Sequence, residues 1–223
     1  MDYERKNGGL RNAWMNNFLI AVNVIVFAVG MAGTGRIWDR DFMVRAGALY
    51  APLLLKGQGF YRLVTSVFLH ADIRHLFNNM IVLFAGGMIA EKNLGHIRYG
   101  ILYIISGIGG NLVSIAADFC TGQYGYSIGA SGAVFGVIGS LLYMILREAI
   151  SMKRVSFQEG SGERNVWKSL LIRAGLMTAY LLYSGWSNPV VNQAAHVGGL
   201  IVGFVLTIVL IPQGQSDLSD LLQ

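Results

Sequence analysis

The chain has 223 residues, of which 54% are hydrophobic and only 13% charged, with a formal net charge of +5. A soluble domain is about one quarter charged, and a mean hydropathy of +0.51 leaves too little polar side chain to cover a surface in water. The composition therefore excludes a soluble globular protein and predicts a single polytopic, all-α membrane domain over residues 1–223. The lone Cys120 excludes an internal disulfide framework and a cysteine-rich metal site. The basic residues are spread between apolar segments, as contacts to a lipid bilayer and not as a nucleic-acid surface.

Crossing about 30 Å of hydrocarbon takes roughly 20 helical residues, and six apolar segments come near that length. A basic stretch, residues 1–13, precedes the first, Trp14–Met31. Ala28-Val29-Gly30 could serve as a cleavage site, but the segment is long for a signal peptide and further apolar segments follow, so an uncleaved helix is expected. Next comes a long connector, Ala32–Asp72. It mixes charges (Arg36, Asp39, Arg40, Asp41, Arg45) with Trp38, Tyr50, Phe60, Tyr61 and a Leu53-Leu54-Leu55 run, a composition suited to the membrane interface. The second and third segments are Ile73–Ala90 and Tyr99–Ala117. The fourth is Ser131–Leu146 and the fifth Val166–Tyr183, with Arg147 and Lys168 able to snorkel to the headgroups. Between them, Lys153–Glu163 is polar, contains Gly160-Ser161-Gly162 and reads as a solvated flexible loop. The sixth is Ala194–Ile211, closing a core over residues 14–211, and a polar tail, 212–223, follows.

Of the 17 lysines and arginines, eleven lie at the N-terminus, between the second and third segments (Lys92, Arg98) and from Arg147 to Arg173. The other six lie in the long first connector, counting Arg74 at its edge, where the positive-inside rule is obeyed poorly. None falls in the connectors after the third and fifth. This bias predicts both termini cytoplasmic and the starts of the fourth and sixth helices near the extracytoplasmic face, and six helices with short tails suit a plasma membrane.

The run Ile128-Gly129-Ala130-Ser131-Gly132-Ala133-Val134-Phe135-Gly136 sets one hydroxyl among small residues at the head of an apolar segment. One reading is close helix packing through Gly129, Gly132, Gly136 and Gly139. The other is a nucleophile, which needs a base and gains from the free N–H groups and positive dipole end of a helix start. His196, in Ala194-Ala195-His196-Val197-Gly198-Gly199, is the candidate base; a neutral imidazole bonded between helices or holding a cofactor is the alternative. Gly199 and Gly203, four apart, offer a smooth face toward the glycine-lined fourth helix and a way to bring Ser131 and His196 together. No acidic residue falls within the second, fourth or sixth segment, which favours a dyad over a triad. Phe135, one turn beyond Ser131, either stacks on the imidazole or packs as an ordinary apolar residue. His75 and Asn79 share one face of the second helix, with His70 five residues earlier. They read as a polar helix entrance, as a weak zinc pattern lacking a carboxylate, or as donors to an oxyanion.

These residues resemble the rhomboid family of intramembrane serine proteases. Gly129-Ala130-Ser131-Gly132 is similar to its Gly-x-Ser-Gly nucleophile motif. Ala195-His196-x-x-Gly199-x-x-x-Gly203 is similar to its sixth-helix motif, and His70-x-x-x-x-His75-x-x-x-Asn79 to its second-helix motif. The resemblance implies a six-helix bundle with a long interfacial connector, and a Ser131–His196 dyad working through an acyl-enzyme. His75, Asn79 and the Ser131 amide would form the oxyanion site, with Gly129, Gly132, Phe135, His70 and Gly199 in support and no metal or other cofactor. The implied partners are single-pass transmembrane substrates within the bilayer. The chain departs from the family pattern at Tyr61-Arg62, where Trp-Arg is frequent, and at Phe135, where Tyr is common. A non-catalytic relative that binds membrane clients is the alternative. A channel or transporter is the more distant one, disfavoured by the lack of an internal repeat or a mid-segment acid.

Overall fold

The computed structural model describes residues 13–34, 40–155, 161–186 and 192–211. The chain is a bundle of long helices joined by short ones. Helix α1 (Trp14–Thr34) leads into a connector built from α2 (Arg40–Ala46), strand β1 (Leu49–Tyr50), α3 (Ala51–Leu55), α4 (Arg62–Thr65) and a 3-10 turn, Ser66–Phe68. Helix α5 (Ile73–Val82), a π turn (Leu83–Gly87) and α6 (Met88–Leu94) run on as one span. Then come α7 (His96–Thr121), β2 (Tyr126–Ser127), α8 (Ser131–Val155), α9 (Ser161–Trp186) and α10 (Gln193–Leu210).

Among the described residues, five segments are long and apolar enough to cross a membrane: Trp14–Ala32, Ile73–Leu94, His96–Thr121, Ser131–Ile150 and Gln193–Leu210. The expected fifth span is also helical, as α9. Glu163, Arg164, Lys168 and Arg173 in its first half and Tyr180 and Tyr183 in its second make it less apolar than the rest. Most helices extend past their apolar stretches, because the backbone ladder continues wherever polar side chains can reach headgroup or water. Two expectations change as a result. The Lys153–Glu163 stretch is helical up to Val155 and again from Ser161, with 156–160 outside the described residues. Glu91 and Glu148 belong to α6 and α8, so the second and fourth spans do contain acids. The stretch before Ala13 and the tail 212–223 fall outside the described residues.

The connector is more than an interfacial strap. Met43, Ala48, Leu49, Ala51, Leu54, Val67 and Leu69 are buried against the bundle. Arg62, also buried, donates to the carbonyls of Val44 and Ala48 and so ties the connector to itself. Thr65 Oγ1 donates to the Gly47 carbonyl at 2.8 Å. The amide of Asn111 on α7 donates to the Leu63 carbonyl and to Ser66 Oγ, both at 2.9 Å.

Between helices in lipid, small-residue contact and hydrogen bonds do the work that hydrophobic burial does in water. Helix α1 uses hydrogen bonds. Its first-turn N–H groups, on Met15 and Asn16, donate to the buried Glu91 carboxylate at 3.0 and 2.7 Å, a cap supplied from α6 instead of by a neighbour in sequence. Tyr99 donates to Asn16 Oδ1 at 2.6 Å, and Asn23 donates to the Tyr103 hydroxyl at 3.1 Å. Helices α8 and α10 use glycine. A methyl group on Gly199 would strike the Gly132 carbonyl, one on Gly203 the Gly136 carbonyl, and one on Gly139 the Leu200 carbonyl. The two backbones therefore touch over nearly two turns. Helix α7 closes on both through Gly107 and Gly110, the latter facing the Ala195 carbonyl.

Candidate active site

The starts of α5, α8 and α10 meet at one end of the bundle. Ser131 is the first residue of α8 and half-buried. The loop before it is held from three directions. Strands β1 and β2 pair antiparallel, Leu49 with Ser127 and Tyr50 with Tyr126. The Gly129 N–H donates to the Ser66 carbonyl at 2.9 Å. The Ala130 N–H approaches His70 Nε2 at 3.5 Å. Gly129 has φ +118°, and a Cβ there would lie 2.7 Å from Cε1 and Nε2 of His75. Only glycine allows both the turn and the close ring.

His196 sits one turn into α10 and is 92% removed from solvent, with a relative exposure of 8%. Its ring stacks on Phe135, centroids 4.4 Å apart and planes 18° apart, so of the two readings of Phe135 the stack is the observed one. Gly132 and Ala195, the chain neighbours of Ser131 and His196, face each other: a Cβ on Gly132 would lie 3.4 Å from the Ala195 carbonyl oxygen. Nδ1 of His196 is buried without a hydrogen-bond partner. Among the described residues no carboxylate bonds to it. Glu91 is occupied at the start of α1, and Asp72 caps α5 by accepting the His75 N–H at 2.7 Å.

His75 and Asn79 lie one turn apart on α5, and the Asn79 amide donates one hydrogen to the His75 carbonyl at 3.1 Å. The second amide hydrogen is left for another acceptor. His75 lies within electrostatic range of His196 and packs edge-on against His70, centroids 5.0 Å apart. Burial, with His75 second, lowers the His70 pKa to about 3, so that imidazole is neutral at ordinary pH and can accept from Ala130. Among the described residues no cluster of His, Cys, Asp or Glu has the makings of a metal site.

Residues 57–213 match the Rhomboid domain family. This chain belongs to the rhomboid family. It is 35% identical to RHOMBOID-like protein 5 of Arabidopsis thaliana over 171 residues, covering 77% of this chain and 50% of that protein. It is 34% identical to Rhomboid-like protease 1 of Toxoplasma gondii over 164 residues, 74% of this chain and 51% of that one. With Rhomboid protease GluP of Bacillus subtilis it shares 31% identity over 185 residues, 83% of this chain and 32% of that one. The chain thus spans about half, or less, of the length of these curated relatives. Its helical membrane bundle is the rhomboid architecture, and two of these rhomboid relatives carry protease names.

Two contributors to this rhomboid site were not singled out from the sequence. Ser66 supplies a main-chain carbonyl, which no side-chain pattern reveals. Asn192 caps α10, its Oδ1 accepting the Ala195 N–H at 3.0 Å. An asparagine directly before an apolar run is a recognised start signal, so this one was legible.

Proposed function

We propose that this rhomboid is an intramembrane serine endopeptidase that cleaves single-pass membrane proteins in or near their transmembrane segments. The observation that carries the reading is the glycine-lined crossing of α8 and α10, with Phe135 stacked on His196 one turn below Ser131. In this scheme Ser131 Oγ attacks the scissile carbonyl carbon while His196 takes the hydroxyl proton. The charge that develops on the carbonyl oxygen meets the first N–H groups of α8 and donors from His75 and Asn79. Collapse expels the amine, which receives the proton from the imidazole and leaves Ser131 acylated. Water, activated by the same imidazole, then releases the carboxylate product.

Hydrolysis at this depth needs a water-holding polar recess. The polar residues at the common end of α5, α8 and α10 suit one. The carbonyls of a membrane helix are tied up in its own hydrogen bonds, so substrates with helix-breaking or small residues at the cut are favoured. The distribution of Lys and Arg supports cytoplasmic termini, with the site toward the extracytoplasmic face.

A tagged transmembrane reporter, incubated with the wild type and with Ser131→Ala and His196→Ala, tests the reading, product masses locating the cut. Wild type cleaves and carries one adduct of a serine-directed phosphonate. Ser131→Ala loses both, and His196→Ala loses cleavage by about 10³-fold or more. Equal cleavage by Ser131→Ala ends the scheme. A wild type that binds the reporter but neither cleaves nor labels supports the non-catalytic, client-binding alternative.

A further inference from the structure

We infer that Asn192 is a positioning residue that fixes His196 relative to the Ser131 loop; this rests on the proposed serine-protease reading. Its side-chain amide is engaged at both its nitrogen and its oxygen. Both amide hydrogens are committed, one to Ser114 Oγ of α7 at 2.6 Å and one to Ser127 Oγ of β2 at 2.9 Å. The amide oxygen accepts the Ala195 N–H, and the Asn192 main-chain carbonyl accepts the N–H of His196 itself at 3.2 Å. One residue thereby joins three elements. Ser127 sits four residues before Ser131, on the strand whose partner Leu49 belongs to the connector. Ser114 is buried on the helix that packs against both α8 and α10.

The glycine contacts further down fix how closely α8 and α10 approach. Gly110 and Gly132 also pack on the Ala195 carbonyl in the first turn of α10, where His196 sits, but these van der Waals contacts carry no directional hydrogen bond. Asn192 supplies a lateral tie at that level. The proton transfer is sensitive to small displacements, since a misplacement of about 1 Å can cost about 100-fold.

The test uses the full-length protein and the reporter assay above, with kcat and KM measured separately and active sites counted by phosphonate labelling. Asn192→Ala removes the cap and both ties. It should lower kcat about 10- to 100-fold per folded molecule, with KM changed less than about threefold, and slow phosphonate labelling of Ser131 in parallel. Asn192→Asp keeps the cap, and the two serine hydroxyls can turn to donate to its carboxylate. It should recover kcat to within about fivefold, with a changed pH profile because a negative charge now lies near His196. If Asn192→Ala does not fold, the double variant Ser114→Ala/Ser127→Ala decides. It leaves the cap in place and should still lower kcat with little change in KM. A merely structural role predicts less folded protein but unchanged kcat per labelled site, and that result overturns the inference while leaving the serine mechanism standing. A wild type that neither cleaves nor labels overturns both.

Discussion

A methyl group added at Gly129 would meet a backbone and a ring that both resist it. The φ of +118° is one that side-chain-bearing residues rarely adopt, and the added carbon would fall 2.7 Å from the His75 imidazole. Gly129→Ala is therefore expected to displace His75 and lower cleavage by about tenfold or more, read in the reporter assay with folding checked by thermal unfolding. Asn79→Ala should cost about 10²-fold and leave residual activity, because helix N–H groups and His75 remain as donors; complete loss would assign Asn79 a larger role. Much of this was legible from spacing alone. Residues one turn apart share a face, which paired His75 with Asn79 and set Phe135 beneath Ser131. The Gly129 ring contact was not legible, because it depends on how α5 and the serine loop meet in space.

At the scale of elements, the glycine positions where α8 crosses α10 admit no side chain. Gly199→Ala would drive a methyl group into the Gly132 carbonyl, which belongs to a hydrogen-bonded helix and has little room to yield. We expect a loss of about 2–3 kcal/mol, seen as a lower unfolding midpoint in detergent. Gly175 on α9 is the control, since a Cβ there meets open space. Gly175→Ala should be neutral or stabilising by up to about 1 kcal/mol; equal damage at the two positions would remove the backbone contact as the cause. The glycine stripes announced this packing in the sequence. The cap on α1 was less visible: Glu91 lies just past the apolar stretch of its span and acts on residues 76 and 75 positions away, a distance over which local pattern carries no information.

For the molecule as a whole, hydropathy marked the long helices and the motifs marked the end of the bundle where the site lies. The connector was the part least readable. Its buried face comes from short helices whose apolar residues follow no sustained period, and Arg62 is buried because backbone carbonyls surround it. His70, at the end of this connector, ties pH to stability. Its folded pKa of about 3 lies below the ordinary 6.5, so between those values the unfolded chain takes up a proton that the folded one refuses. Stability therefore falls as pH drops below about 6.5 and is unaffected above it, by at most about 1.4 kcal/mol per pH unit. Unfolding midpoints of wild type and His70→Gln should differ by a constant above pH 7 and by a changing amount below pH 6. A difference that stays constant throughout would mean that the imidazole is not held neutral.

Main chain against main chain, as Gly132 meets Gly199 and Gly136 meets Gly203, leaves no rotamer to thaw on warming. The gap between the serine helix and the histidine helix is set by the thickness of a peptide unit, and heat alone cannot widen it by degrees. Catalytic rate should therefore climb smoothly with temperature and then collapse within the same few degrees in which the bundle itself melts.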